Sequence, residues 1–400
     1  MFKCKITKKS IKPFMTFGKM PLANNFLKEK DFKNEYFFEM NVGFNENLSL
    51  FQLGKQPKAE LMFNQNYPFY TGSSNYMIEH FKNFSGWLKK NYLSSNSRLI
   101  EIGSNDGTFL SNFKSSSISF LGIEPSKNMA SLSNKKRIPA FNTFFSLSNV
   151  KNLKKFKNNT DVITAANVIC HVKNLESLIY GVDYLLNTNG FFIFEEPYLG
   201  SMYDKVSYDQ IYDEHVFMFS VHSIKKIFER YGFNLIDVLP QPTHGGSMRY
   251  VVTKKKNEKI SSNVKKYLKY EEKKNIDNIN GCLNFRNNCV LSKKKLVQKI
   301  ERIKNDNKRI VGYAATSKST TILNYCGINK NHIDCIFDTT KEKIGKFTPG
   351  THIPVFDMKK FKFSHKDYVY LFAWNHKKEI FKKEKTFTNN GGKWISHVKI

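Results

Sequence analysis

One stretch limits the fold more than any other: Arg98-Leu-Ile-Glu-Ile-Gly-Ser-Asn-Asp-Gly-Thr-Phe-Leu110. Leu99 to Ile102 reads as a short buried strand. Gly103-Ser-Asn-Asp-Gly107 is a turn of small residues, and Thr108 to Phe113 reads as a helix start. Strand, glycine turn and helix together open an α/β nucleotide-binding unit. Gly103 and Gly107 let the backbone approach a ligand closely. The spacing is not G-x-G-x-x-G, which argues against nicotinamide and flavin dinucleotides. A second strand, Ile118 to Glu124, ends in an acid 21 positions after Gly103. A carboxylate there can accept both hydroxyls of a ribose.

The remaining pattern extends this unit. Asp161–Asn167 reads as a third strand, with His171 just beyond its end, and Gly190–Pro197 as a fourth, ending in two carboxylates. His222 to Tyr231 is helical in pattern, and Phe233–Leu239 and Met248–Thr253 are strands. Ser74 caps a helix that precedes the first strand. Lysine-rich segments with helical periodicity run from Lys254 to about Asn307. A second strand-turn-helix follows over Arg309–Asn324, and Ile333–Asp338, Asp367–Ala373 and Gly391–Ile395 add strands. The expected division is a small, irregular N-terminal part (1–72), a central α/β domain (73–253) and an α/β C-terminal lobe (254–400). Residues 1–72 are too few for a large core of their own and should lean on the centre.

With 400 residues, 40% apolar and 14% aromatic, the chain is long and apolar enough to build packed cores. The formal charge of +30 invites a nucleic-acid reading. The lysines are spread along the whole chain among many asparagines, so no nucleic-acid partner is expected. The six cysteines form no C-x-x-C pair and read as reduced, mostly buried thiols of a cytoplasmic protein. No signal peptide and no run of roughly 18 apolar residues is present, so no membrane partner is expected.

Tyr208-Asp-Gln-Ile-Tyr-Asp-Glu-His-Val-Phe-Met-Phe-Ser220 carries the densest polar cluster in an aromatic surrounding. A histidine suits proton abstraction at neutral pH. Glu214 can orient His215 and stabilise its protonated form. Tyr212 can donate to a developing enolate oxygen. His171 and His244 both follow strand-like segments, where loops meet one cleft. Taken alone, each histidine also fits a structural role. Lys318, with the Ser317 and Thr320 hydroxyls, marks an anion site at a helix start. The segment imitates a P-loop but lacks the glycine before the lysine, which excludes an NTPase.

The 98–124 segment resembles the class I, Rossmann-like methyltransferases that use S-adenosylmethionine. End to end, the chain resembles bacterial nucleotide-sugar C-methyltransferases. The motifs that carry the likeness are Met20-Pro-Leu-Ala-Asn-Asn-Phe26, Tyr67-Pro-Phe-Tyr-Thr-Gly-Ser-Ser74 with His80, Ile211–Ser220, His244-Gly-Gly-Ser-Met-Arg249, Gly312-Tyr-Ala-Ala-Thr-Ser-Lys318, Pro349–Pro354 and Ala373-Trp-Asn375 with Glu379. The resemblance implies carbon methylation of a keto-sugar attached to a nucleotide diphosphate. His215 would be the base, supported by Tyr212 and Glu214. His171 would lie near the sugar, and Tyr67 or Tyr70 would close over it. Glu101, Gly103, Ser104, Asn105, Gly107, Glu124, Pro125 and Asn167 would hold the donor. His244, Gly245, Arg249, Lys318, Thr320, Asn324 and Asn375 would face the nucleotide-sugar. The family's N-terminal domain usually carries four zinc-binding cysteines. Here only Cys4 remains, with Thr7 where its partner would stand and no cysteine over Asn45–Leu48. Zinc is therefore not expected. Rival readings are an O- or N-methyltransferase on the same scaffold, or a non-catalytic nucleotide- or nucleic-acid-binding protein.

Overall fold

The central sheet orders seven strands as 234–241, 247–253, 186–197, 160–166, 98–102, 119–123 and 140–141. A computed structural model describes residues 1–62, 70–361 and 367–400; the Tyr67 expectation lies outside them. The five strands from 186–197 to 140–141 run parallel, while 247–253 lies antiparallel to 186–197 and 234–241 antiparallel to it in turn. The strand order turns back at Arg98–Ile102, so the loops at its carboxyl end open onto a crevice where α/β sheets take ligands. This is the class I methyltransferase arrangement.

The sequence dictates these elements locally. The helix Asn75–Asn91 begins where Ser74 Oγ accepts from the Met77 N–H at 3.3 Å. It buries Met77, Phe81, Phe84 and Leu88 against the sheet, the i, i+4, i+7 stripe of an amphipathic helix. The Thr108–Phe113 helix start is only a short 3-10 turn, Leu110–Phe113. The lysine-rich region forms two helices, Ser262–Lys273 and Ile279–Asn305. Glu271 on the first of these is fully buried. It accepts from the Tyr198 hydroxyl and from the Val221 and His222 N–H groups, which fastens that helix to the central lobe.

The N-terminal residues are more regular than their sequence suggests. Pro13–Pro21, Phe37–Asn45 and Leu50–Leu53 form an antiparallel sheet whose fourth strand, Phe217–Met218, comes from the segment just after His215. The apolar residues of this sheet belong to one core with those of the central sheet. The four positions that would carry zinc-binding cysteines are joined by hydrogen bonds. Cys4 Sγ accepts from the Thr7 N–H and from Gln52 Nε2, Asn45 Nδ2 donates to Thr7 Oγ1 at 3.0 Å, and Asn45 Oδ1 accepts from the Leu48 N–H at 3.0 Å. All six cysteines are free and buried.

The C-terminal sheet is wholly parallel and ordered 355–357, 336–338, 310–313, 368–371, 393–395, a second Rossmann-like lobe. Among the described residues, no helix is long and apolar enough to cross a membrane.

Candidate active site

The three sheets meet around one cleft of about 1320 Å³. Its first wall is the turn after Arg98–Ile102. Gly103 takes a positive φ of 70° and donates its N–H to Ile123 O at 2.8 Å, which folds the turn over the tip of the next strand. Glu124 accepts from the Asn105 N–H (2.8 Å) and the Ser126 N–H (2.7 Å). The 70–74 loop docks on the same turn, since the Thr71 N–H reaches Asn105 Oδ1 and the Gly72 N–H reaches Asp106 Oδ2. Gly103, Asn105, Glu124, Pro125, Asn167 and Tyr70 all line the cleft. Glu101, Ser104 and Gly107 stand behind that wall rather than on it.

This wall fits S-adenosylmethionine. Burial, with Glu124 and Asp106 nearby, raises the Glu101 carboxyl well above the usual carboxylate range. On the wall itself, Asn167 Oδ1 has no hydrogen-bond partner among the described residues. Unpartnered buried polar atoms beside a cavity are costly unless a ligand meets them.

The floor comes from residues 208–215. His215 Nδ1 lies 2.8 Å from Gln210 O, an acceptor only, so Nδ1 carries the proton and Nε2 holds the lone pair. That nitrogen lies 2.7 Å from the Tyr212 hydroxyl, which donates to it. Burial holds the imidazole well below the ordinary histidine pKa, and His171, His244 and Lys318 add to the effect. His215 is therefore neutral near pH 7, with its Nε2 lone pair engaged by the Tyr212 hydroxyl. His171 meets its ring edge to face, with centroids 5.1 Å apart, and burial lowers its pKa to about 4. Burial, then the Lys318 charge, lowers His244 to about 3. Glu214 is raised by burial and by Asp213, so it carries a proton near neutrality.

A wedge that sequence reasoning missed holds this floor. Asn24 Nδ2 donates to Glu214 Oε1 at 2.6 Å, while Asn24 Oδ1 accepts from Ser317 Oγ at 3.0 Å. The Ala23 N–H donates to Asp213 Oδ1, and Thr320 Oγ1 donates to Ala23 O. One turn of the N-terminal part thus touches both the central floor and the C-terminal helix Ser317–Cys326. Below it, Asp209 accepts from Trp374 Nε1 at 2.6 Å and lies 3.1 Å from His397 Nε2.

The third wall brings Lys318, Asn375, His376, Asp338 and Lys343 to the cleft, with His244 between walls. Four expected substrate contacts stand elsewhere. Arg249 is buried in an ion pair with Glu195 and lies over the rings of Phe84 and Trp87. A Cβ on Gly245 would come within 2.2 Å of Trp374, so this glycine admits an indole. The Thr320 hydroxyl is spent on Ala23, and Asn324 donates to Thr320 O and Pro349 O.

Among the described residues, one group could hold a metal: Cys170, His171 and His215, whose ligand atoms lie within 4.8 Å of one another. Burial and Glu196 push the Cys170 thiol well up, so at neutral pH it is not the thiolate that a soft metal selects.

Residues 81–238 match the family described as methyltransferase domain, and residues 242–398 the family described as C-methyltransferase C-terminal domain. The chain is 26% identical over 384 residues to the C-methyltransferase NovU of Streptomyces niveus, covering 95% of this chain and 91% of that protein. A solved S-adenosylmethionine-dependent methyltransferase of Thermotoga maritima, described as a possible histamine N-methyltransferase, is 19% identical; the match covers 45% of this chain and 92% of that one, with a TM-score of 0.35. The citrinin polyketide synthase CMeT domain is 15% identical, covering 44% of this chain and 52% of that one, with a TM-score of 0.36. Both family models describe methyltransferase domains, so this chain is a methyltransferase, and the C-terminal match together with the likeness to NovU sets it beside the C-methyltransferases.

Proposed function

We propose that this enzyme methylates a carbon next to the carbonyl of a keto-sugar linked to a nucleotide diphosphate, and that His215 is the base. One observation carries the reading. A buried imidazole with no counter-charge, its Nδ1–H fixed on Gln210 O, keeps a lone pair on Nε2 at the junction of all three walls. The bound donor supplies an electrophilic methyl group; the protein must make the carbon nucleophilic. His215 Nε2 removes the proton, with Tyr212 either giving up its place on that nitrogen or passing the proton through its hydroxyl. The protonated carboxyl of Glu214 donates toward the enolate oxygen, and His171 packs beside the sugar. Tyr70 closes over it. Glu124 takes the donor's ribose, with Gly103, Asn105, Pro125 and Asn167 along the rest of the donor. Lys318, with Asn375 and His244 beside it, faces the diphosphate from the third wall. The working division of the chain is 1–72, 73–253 and 254–400.

The N-terminal part folds without zinc in this reading, since one thiol, a hydroxyl and an amide cannot form a tetrahedral thiolate site. A chelator should leave its melting curve unchanged. For the reaction, the test is exchange of the sugar's α-proton with deuterated solvent in the absence of methyl donor. Wild type should catalyse it and His215→Ala should not. Methylation without any such exchange would favour an oxygen or nitrogen acceptor instead.

A further inference from the structure

Asp209 is fully buried beneath the floor and does not line the cleft, so it stands outside the contacts of the reaction. It sits on the single turn Tyr208–Gln210, six positions before His215. Its side chain reaches into the C-terminal lobe. Oδ2 accepts from Trp374 Nε1 at 2.6 Å, and Oδ1 stands 3.1 Å from His397 Nε2. His397 Nδ1 in turn lies 3.1 Å from the Tyr370 hydroxyl. Against its burial, His397, then Lys318 and the Trp374 N–H, hold the Asp209 carboxyl below the usual aspartate range, so it is ionised. A buried carboxylate holds such partners strictly, because losing one leaves a charge uncompensated. Trp374 is itself pinned, since its ring fills the space at Gly245, where a Cβ would come within 2.2 Å.

The residue after Asp209 supplies the carbonyl that receives the Nδ1–H of His215, at 2.8 Å. The next residue, Ile211, has its own carbonyl on Thr321 Oγ1 at 2.9 Å. The Gln210 carbonyl is thus bracketed on both sides by side chains of the C-terminal lobe. Which nitrogen of an imidazole carries the proton is set by the bond that the other nitrogen makes. A carbonyl free to swing away would let the proton move to Nε2, and that nitrogen would then have no lone pair to turn toward the cleft. A charged anchor one residue earlier prevents the swing.

We propose that Asp209 is a positioning residue for the reaction: anchored by Trp374 and His397, it holds the Gln210 carbonyl on His215 Nδ1 and so keeps the base in one tautomer. The inference rests on the reading of His215 as the base and adds what keeps that base ready. Proton removal then depends on C-terminal residues that touch no reacting atom.

The experiment follows the imidazole nitrogens of the full chain, labelled with 15N-histidine, by two-bond proton–nitrogen correlation. The His215 signals are those that vanish in His215→Ala. The test variant is Trp374→Phe, which keeps a ring at Gly245 and beneath the Lys318 ammonium, 4.8 Å from its centroid, and removes the N–H from Asp209. Wild type should show one tautomer with the proton on Nδ1, and Trp374→Phe a mixture of the two. On a nucleotide keto-sugar that wild type methylates, α-proton exchange and kcat should fall about tenfold in the variant, with KM and S-adenosylhomocysteine affinity within about twofold. His397→Phe removes the other partner and carries the same test if Trp374→Phe folds poorly. An unchanged tautomer in a folded variant overturns the proposal, whatever the rate. A mixed tautomer with wild-type exchange and kcat overturns it too, as does a rise confined to KM. If His215→Ala abolishes exchange while Trp374→Phe changes nothing, only this inference fails. If His215→Ala still exchanges the proton, the reading of the base fails and this inference falls with it.

Discussion

His80 and His215 are both largely enclosed, yet they meet different partners. His80 Nε2 lies 2.6 Å from Glu195 Oε2, and the other oxygen of that carboxylate is gripped by Arg249 through Nε (2.8 Å) and Nη2 (2.5 Å). Against its burial, the hydrogen bond from His80 and then the Arg249 charge hold the Glu195 carboxyl below the usual range. His215 has a carbonyl on one side and a phenol on the other, with two further histidines and a lysine close enough to disfavour its charge. An imidazole bonded to a buried carboxylate that an arginine also grips becomes a fastening between elements. An imidazole buried without one stays neutral and keeps a lone pair to use.

The contrast can be broken by substitution. His215→Ala should lower kcat about a thousandfold while leaving the melting temperature and donor affinity close to wild type. Near-normal turnover would move the base elsewhere. Arg249→Ala should do the reverse. It takes the guanidinium from a buried carboxylate, leaving only His80 on it, and should remove roughly 3–5 kcal/mol of stability, read from the denaturation midpoint, with turnover per folded molecule retained. A stable Arg249→Ala that had lost its activity would put this arginine back among the substrate contacts.

The pH profile sharpens the same comparison. His215 is lowered, so its base form persists below the ordinary histidine range and the acid limb of kcat/KM should lie well under pH 6.5. Glu214 is raised, so its proton persists above the ordinary carboxylate range and is lost as pH rises. An alkaline limb should therefore appear, and Glu214→Gln should abolish it while leaving the acid limb in place. Asn24→Ala removes the amide that holds Glu214 and should cost about 1 kcal/mol, or roughly fivefold in kcat.

What could be read from sequence followed the range of the forces involved. The Gly103 turn and Glu124 are set by neighbours within one crossover, so their pattern is visible in a single stretch. The Ser74 cap is just as local. Asn24 and Asp213 act across 190 residues, and no spacing rule reaches that far. Arg249 stood among the expected substrate contacts because it closes the family-like motif His244-Gly-Gly-Ser-Met-Arg249. Its partner Glu195 lies directly opposite on the neighbouring antiparallel strand, a pairing visible only once the register is known. The strand Phe37–Asn45 was within reach of sequence reasoning: Phe38, Met40, Val42 and Phe44 alternate inward, the period of a half-buried strand.

The borrowed strand at Phe217–Met218 has a consequence for how the chain is made. Leu50–Leu53 leaves the ribosome with one side of its ladder open, and its mate is encoded 164 positions later. At about 5–20 residues per second, that gap is on the order of ten to thirty seconds. Through that interval an apolar edge is bare and able to pair with a stranger. The residue that closes it stands next but one to His215, so the nascent protein seals this border in the same event that settles His215 against the cleft.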